Sequence, residues 1–504
     1  MKNAPSRHGY DHHFLLPSSH SGTEFFGSSS AFSLAVEVLT HAHRSPLLGD
    51  SFPYVNEQDD SISDGGGSYV VHIPTSTGLS LNVSKETIAS LLSIYRASLN
   101  TMYTFFLDST ITADLNDYSR IIGTADFDAT QLVDLEAFRY FRVNMMCALT
   151  CAIKSRYSQS LAGLGDSFAN EALKCVEEVT SEASSKSLQT LLLLIQYCLF
   201  YPRKGDIWKL LDFACRLSVE LGYHTEQDMM DASVEDRELR RSTFWGLYAI
   251  ERIVGQLFGR PSDLPESIIT TEYPSKAASL PQDPISAQGI FSAHHYRLVY
   301  LRSEIYREIY LPATMPVRSN DWLKGRYSLL LQWWKDATVE DDRGNQYPGV
   351  GRVTCTVAYH STIIFLLQPM MLRALSNEEV NCIPRDNYVS AVKLIETYEG
   401  VLQAPDDSAV GIYPMTFMSA HYICLAALTL LAHWMLFLDG HVVTSNLLEG
   451  YENAMIDYST AQALSASCLI LLSWCAERWP GMEGTLNIFQ KLSEKLLPEL
   501  SRHG

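Results

Sequence analysis

The pattern of apolar positions changes near Ser84. Before it, short apolar runs alternate with turn-forming and polar stretches such as SGTEFFGSSSAFS (21–33) and acidic NEQDDSISDGGG (56–67), so residues 1–83 are predicted to be a mostly disordered, low-complexity segment. Within it, SSSAFSLAVEVLTHAH (28–43) has the spacing of one short helix, and SYVVHIPTSTGLSLNV (68–83) alternates enough for an extended segment or small hairpin. From Ser84 onward apolar residues recur at helical spacing. Ser84 is suited to cap a helix whose first turn holds Glu86 and which continues through TIASLLSIYRASLNTMYTFF (87–106). Further helices are predicted over about 130–158, 161–182, 187–201, 205–222, 233–258, 286–309, 318–337, 350–376, 387–403, 415–438, 447–476 and 483–498. Strand patterns are not sustained after residue 84, and no repeat period stands out. The expected fold is therefore all-α, a large multi-helix array over 84–504. Its helices are too apolar all round for a simple two-layer bundle, so several must be covered by neighbours on most sides.

One predicted helix carries charges in awkward places: RRSTFWGLYAIERIVGQLFGRPSDLP, residues 240–265. Successive residues turn about 100° around a helix, which puts Arg241, Trp245, Tyr248 and Arg252 on one stripe. Each arginine is then expected against an aromatic face, Arg241 on Trp245 and Arg252 on Tyr248. Glu251 falls on another side, among Phe244, Leu247 and Phe258, and a carboxylate there needs a cation, expected from a neighbouring helix. Gly259 suits the left-handed residue that closes a helix, Pro261 prevents its resumption, and Arg260 is placed to bond terminal carbonyls or to reach Glu251 or Asp263. Two readings follow. The charges fix helix register and anchor the exit loop, or Arg241, Arg252 and Arg260 line a pocket for an acidic effector.

Charge narrows the function classes. The chain has 38 Lys+Arg against 57 Asp+Glu, a formal charge of -19, and an acidic surface repels phosphate backbones. Ten cysteines are scattered singly from Cys147 to Cys475 without a Cys-xx-Cys, which reads as buried small hydrophobes and not as a zinc site. YICLAALTLLAHWMLFL (422–438) is short for a membrane span and lacks basic flanks, so a buried core helix is expected there. The adjacent pairs His12–His13 and His294–His295 read as surface histidines, since neighbours on a helix point apart and no third ligand is near. His224, His360, His421 and His433 sit singly on apolar helices and are expected to bond backbone groups, and Trp333–Trp334 to divide between core and surface.

The 240–265 stretch also resembles the regulatory, or middle homology, domain of fungal-specific transcription factors, the helical region of binuclear zinc-cluster activators. The matching residues are Arg240, Arg241, Phe244, Trp245, Tyr248, Glu251, Arg252, Gly259, Arg260 and Pro261, with Glu251 where that family usually has Asp. FFGSSSAFSL (25–34) is similar to the aromatic-Gly-Ser-Ser segment that introduces such domains. LLSIYRASLNTMYTFF (91–106) resembles its first helix, SLQTLLLLIQYCLFYPRKGDIWKLLDFACRLSVELGYH (187–224) its helix pair, and YHSTIIFLLQP (359–369) a later helix. The resemblance implies a nuclear transcription regulator of a metabolic or biosynthetic pathway. Its partners would be transcription machinery or another regulator, a small-molecule effector and a second copy of the chain, with no membrane. The family's DNA reader holds zinc with six closely spaced cysteines. No cysteine precedes Cys147, so neither DNA contact nor zinc is expected from these residues, and no other cofactor is implied.

Two other readings compete. A terpenoid-synthase-like enzyme needs paired metal-binding carboxylates on helices, but Asp59, Asp60 and Asp64, and the Glu340–Arg343 run, lie in Gly-rich or loop-like sequence. No phosphate loop or nucleophile elbow is visible, so no catalysis is expected. A helical interaction scaffold differs from the regulator only in localisation and partners.

Overall fold

The apolar spacing becomes helix in the computed structural model of the chain, which describes residues 14–17, 23–45, 83–123, 127–226, 233–274, 285–312, 318–338, 349–376, 385–440 and 458–503. The expected extended segment at 68–83, the two acidic runs and His12–His13 lie largely or wholly outside the described residues. Near the N-terminus, strands β1 (Phe14–Pro17) and β2 (Thr23–Phe26) pair antiparallel, with Phe14 opposite Phe26. The alternation before Ser84 was too short to signal this hairpin.

The predicted short helix is α1 (Ala31–Arg44), capped by the Ser30 side chain, which accepts from Ser33 N–H. Its Leu34, Val38, Leu39 and Ala42 belong to the main core, so that core draws on residues ahead of the expected boundary at 83/84. The helix begun by Ser84 ends early. The chain turns at Ser98, giving α2 (Lys85–Ala97) and a single turn, α3 (Leu99–Met102), because Ser98 leaves helical geometry at φ -109°, ψ -97°. An unpredicted helix follows, α4 (Asp108–Ile122). Its pattern is masked by Asp114, a carboxylate on the buried face.

The remaining helices fall near their predicted places: α5 (Asp134–Lys154), α6 (Ser160–Leu173), α7 (Val176–Thr180), α8 (Ser185–Phe200), α9 (Ile207–Glu220), α10 (Val234–Phe258), α11 (Ile285–Ile309), α12 (Asn320–Thr338), α13 (Gly349–Leu375), α14 (Arg385–Gln403), α15 (Phe417–Leu438), α16 (Tyr458–Arg478) and α17 (Glu483–His503). Asp114 is answered on α5 by Arg142, whose Nε and Nη2 both donate to it at 2.7 Å. A buried bidentate pair of this kind fixes the α4–α5 register, because any slip leaves a desolvated charge alone.

α15 is the central helix. It touches α1, α8, α10, α13, α14, α16 and α17, and buries Leu425, Leu428, Leu431, Trp434 and Leu436 on different sides. α13, α15 and α16 are each long and apolar enough to cross a membrane; 78% and 83% of the most apolar windows of α13 and α15 are covered by protein, against 44% for α16. A second apolar cluster joins α11, α12 and α13 through Tyr306, Leu330, Trp333 and Phe365. Trp333 is buried there, while the half-buried Trp334 stacks on Tyr359 at 4.8 Å. His294 and His295 are buried, against the surface position expected of them. His294 stacks on Trp333 at 4.4 Å and its Nε2 lies 3.1 Å from the Trp333 carbonyl. Burial lowers the pKa of His295 to about 4.

The candidate site at the exit of α10

α10 starts at Ser233, whose hydroxyl accepts from Asp236 N–H at 3.0 Å, and closes at Gly259, which takes the left-handed conformation at φ 72°. Arg260 N–H then donates back to the Gly255 carbonyl at 2.8 Å, satisfying a carbonyl the ended helix leaves open. Start and stop are as the residues dictate. The charges between them fall into two separate networks.

At the first turns, Arg240 donates to the Leu221 carbonyl at 2.8 Å and lies 4.4 Å over the Tyr223 ring. Arg241 is not stacked on Trp245. Its three nitrogens meet three carboxylates, Glu226 at 2.6 Å, Glu238 at 2.9 Å and Glu272 at 2.8 Å. Trp245 instead donates from its indole nitrogen to the Glu272 carbonyl at 2.9 Å and stacks on Tyr273 at 4.2 Å. The bond to Glu226 raises the Arg241 pKa above its ordinary value. Burial works to raise Glu226, but Arg241 and the Glu272 N–H outweigh it and hold the carboxyl below its usual range. Arg241 thus ties the loops before and after α10 to the helix.

Two turns on, Arg252 does cover Tyr248, its guanidinium 4.4 Å from the ring centre. Glu251 finds its cation not on another helix but in the next residue: Arg252 Nη1 reaches Glu251 Oε2 at 2.5 Å. Neighbours on a helix point apart at the Cβ atoms, but the long arginine side chain curls round to the carboxylate. The other Glu251 oxygen accepts Asp263 N–H at 2.9 Å, and Ser262 Oγ donates to the first at 3.1 Å. Arg252 continues to Glu266 at 3.1 Å and to the Leu264 carbonyl. Tyr248 O–H completes the set, donating to Glu266 at 2.7 Å. Burial opposes the Arg252 charge, but Glu251, Tyr248 and Glu266 overcome it and raise its pKa. Apart from Arg252 Nη1, which is bonded to Glu251, the polar atoms of this buried pair are answered from 262–266, the exit loop.

Arg260 takes a third course. Its guanidinium lies 4.2 Å over Trp208 of α9, and its carbonyl accepts Tyr306 O–H at 3.0 Å. Of the arginines considered for an effector, Arg252 and Arg260 share a cavity of about 250 Å3 with Glu251, Glu266, Ser303 and Arg307, and Arg241 is not part of it. An acidic guest there would face two carboxylates already holding Arg252.

Sequence reasoning missed two features of the site. The first is the partner of the Gly-Arg-Pro stop. Gly27 N–H donates to the Phe258 carbonyl at 3.0 Å and Ser29 Oγ to the Gln256 carbonyl at 2.7 Å, so the aromatic-Gly-Ser-Ser segment sits on the end of α10. The second is Arg302 of α11, only 3% exposed, which bonds Gln256 Oε1 at 2.8 Å and Ser361 Oγ at 3.1 Å and lies 4.3 Å over the Phe365 ring. Nothing marks Arg302 in the sequence, since its neighbours Leu301, Ser303 and Glu304 read as ordinary helix. Of the isolated histidines, His421 faces the Phe417 carbonyl at 3.2 Å as expected, His360 meets the Ser390 hydroxyl at 3.2 Å, and neither ring nitrogen of His433 has a hydrogen-bond partner among the described residues. The His224 carbonyl, not its ring, accepts from Thr270 and Thr271.

Comparison with known proteins places this geometry. Residues 136–335 match the family model described as "Fungal specific transcription factor domain", a span running from α5 to α12 and containing all of α10. Pyrimidine pathway regulatory protein 1 of Saccharomyces cerevisiae is 30% identical over 175 residues, 30% of this chain and 19% of that protein. The positive regulator of purine utilization of Emericella nidulans is 28% identical over 161 residues, covering 24% of this chain and 15% of the relative. Transcription factor FBD3 of Gibberella moniliformis is 22% identical over 382 residues, 69% of this chain and 49% of that one. This chain therefore spans half or less of each of these relatives. In solved structures, the K. lactis CBF3 core superposes with a TM-score of 0.53 at 14% identity, covering 94% of this chain and 90% of that one, which is a likeness of fold.

Proposed function

We propose that this chain, which carries a fungal-specific transcription factor domain over residues 136–335, regulates transcription in the nucleus through protein contacts of its helical body. The observation that supports the reading most is the match over 136–335, which contains the whole of the 240–261 motif, with Arg240, Arg241, Trp245, Tyr248, Glu251 and Arg252 bonded to the segments that flank α10. Relatives named as regulators of pyrimidine and purine pathways point to metabolic genes as targets. The arginines of the motif are read as architecture: Arg241 and Arg252 are each paired with carboxylates of their own network, and Arg260 lies on Trp208. Recruitment to DNA is assigned to a partner or to a module outside these residues, given the net charge of -19. An effector and a second copy of the chain are the further partners this reading accommodates, and no reaction is assigned to it.

The test is a tethering experiment. The full chain, fused to a heterologous DNA-binding domain, should raise or lower a reporter carrying that domain's sites, and a fluorescent fusion should collect in the nucleus. A fusion that is expressed, is held on the reporter and leaves its output unchanged would reject the regulator reading in favour of a scaffold.

A further inference from the structure

A larger cavity, of about 350 Å3, lies beside the last turn of α10 and belongs to neither charge network. Leu257 and Phe258 form one wall, the start of α1 and the end of α8 two others, and α15 with the α16–α17 junction the rest. At roughly 30 Å3 per molecule of liquid water it has the volume of about a dozen waters. Its surface is mainly aromatic and aliphatic: Phe258 stacks on Phe417 at 6.0 Å, and Leu428, Trp479 and Met482 close the apolar side.

Charge distinguishes this cavity from the rest of the molecule. In a chain with 57 acidic and 38 basic residues, three cations and no Asp or Glu line it among the described residues. Lys204 is shared with Asp166. Arg478 is different: its guanidinium lies 4.0 Å over Trp474 and has no ion-pair partner among the described residues. Burial lowers its pKa from the ordinary arginine value but leaves it charged. A half-desolvated guanidinium beside an apolar cavity is matched best by a carboxylate, which it can hold through two parallel hydrogen bonds. His421 adds an uncharged contact. Its Nδ1 faces the Phe417 carbonyl, which can only accept, so the proton is on Nδ1 and Nε2 keeps its lone pair. Burial brings the His421 pKa down to about 4, so the ring is neutral at pH 7.

We infer that this cavity binds a small hydrophobic carboxylate, its acid group on Arg478 and its body against Phe258, Phe417 and Met482. Because Ser30 and Ala31 line the same cavity, the guest would bridge the N-terminal segment to the body and strengthen the contact at Gly27 and Ser29. The biological sense of this rests on the regulator reading. Binding itself is measured on the purified chain, so either can fail while the other stands.

Titration calorimetry of the full chain compares 1-naphthoate with 1-naphthamide, which share a body and differ in charge. Naphthoate should bind saturably in the micromolar to millimolar range, and naphthamide about tenfold or more weaker, the loss expected for a charge-assisted contact. Arg478→Gln should remove that preference, and Cys424→Phe, which fills the cavity, should remove binding of both. Equal binding of acid and amide, no saturable binding of naphthoate, a preference kept in Arg478→Gln, or naphthoate still bound by Cys424→Phe would each overturn the assignment. The acid–amide comparison needs no variant and decides the matter should either substitution fail to fold.

Discussion

Gly27 and Gly259 meet backbone to backbone, 232 residues apart in sequence. A Cβ placed on Gly27 would lie 2.3 Å from the Gly259 carbonyl oxygen, and one on Gly259 would lie 2.4 Å from the Gly27 Cα. Gly259 is doubly constrained, since its φ of 72° already disfavours any side chain. The contact joins two motifs that sequence shows only as separate matches, and it lets Gly27 and Ser29 satisfy carbonyls at the end of α10.

Gly27→Ala should therefore undock the segment without touching the α10 networks. The expected loss is about 1–3 kcal/mol, from overpacking plus the two hydrogen bonds that hold the segment. Hydrogen exchange should show faster exchange in α1 and unchanged protection in α5. Wild-type protection of α1 in this variant would mean that the glycine contact does not hold the segment.

The Glu251–Arg252 pair makes a different prediction. Glu251→Ala leaves the buried guanidinium with Glu266 as its one remaining carboxylate beside the Leu264 carbonyl, and strips the acceptor from Asp263 N–H, at a cost of about 3–5 kcal/mol. Arg252→Met is comparably harmful alone, since it abandons Glu251. Combined with Glu251→Ala it should cost less than the sum, by about 1–3 kcal/mol, as residues of one network couple. Urea denaturation of the two single variants and the double one checks this. Strict additivity would show that Arg252 and Glu251 do not depend on each other.

Gln256 links the two features that sequence missed. Its carbonyl receives Ser29 and its side-chain oxygen receives Arg302. Gln256→Leu keeps the first bond and removes the second, so the buried Arg302 is left with the hydroxyls of Ser361 and Thr362. We expect a loss of about 2–4 kcal/mol, and recovery of part of it by adding Arg302→Leu, because two apolar groups then face each other. A double variant less stable than Gln256→Leu would refute the unpaired-charge explanation.

How much of this was legible depends on how local the signal is. The bounds of α10, its Ser233 start and Gly259 stop are written in adjacent residues, and so is the aromatic face under Arg252. α4 was hidden because Asp114 breaks its apolar face, and only Arg142 of another helix explains it. The break at Ser98 was hidden because α2 and α3 share one apolar rhythm. For Glu251, helical geometry correctly required a cation, but it assigned the wrong source because it fixed directions at Cβ and ignored the reach of arginine. The Gly27–Gly259 contact and Arg302 are pairings between distant segments, and no window of sequence contains both halves.

Buried histidines set the response of the fold to acid. His295 and His433 are 2% and 0% exposed, their ring nitrogens have no hydrogen-bond partners among the described residues, and burial lowers their pKa values to about 4 and about 3. In the unfolded chain each ring titrates at about 6.5. Below that pH the unfolded chain takes up protons that the folded chain refuses. Stability is thus fully present above about 6.5 and falls as the medium is acidified, by about 1.4 kcal/mol per pH unit for each ring until the folded value is reached. His433→Leu keeps an apolar filling beside Tyr388, which packs on this ring at 5.5 Å, and removes one of the rings whose protonation burial opposes, a set that also includes His360 and His421. Urea midpoints followed from pH 7 to about pH 4.5 should decline less steeply in this variant, by about 1.4 kcal/mol per unit once converted to free energy. An identical slope in variant and wild type would show that the His433 ring takes its proton as readily folded as unfolded, and that its burial leaves no mark on stability.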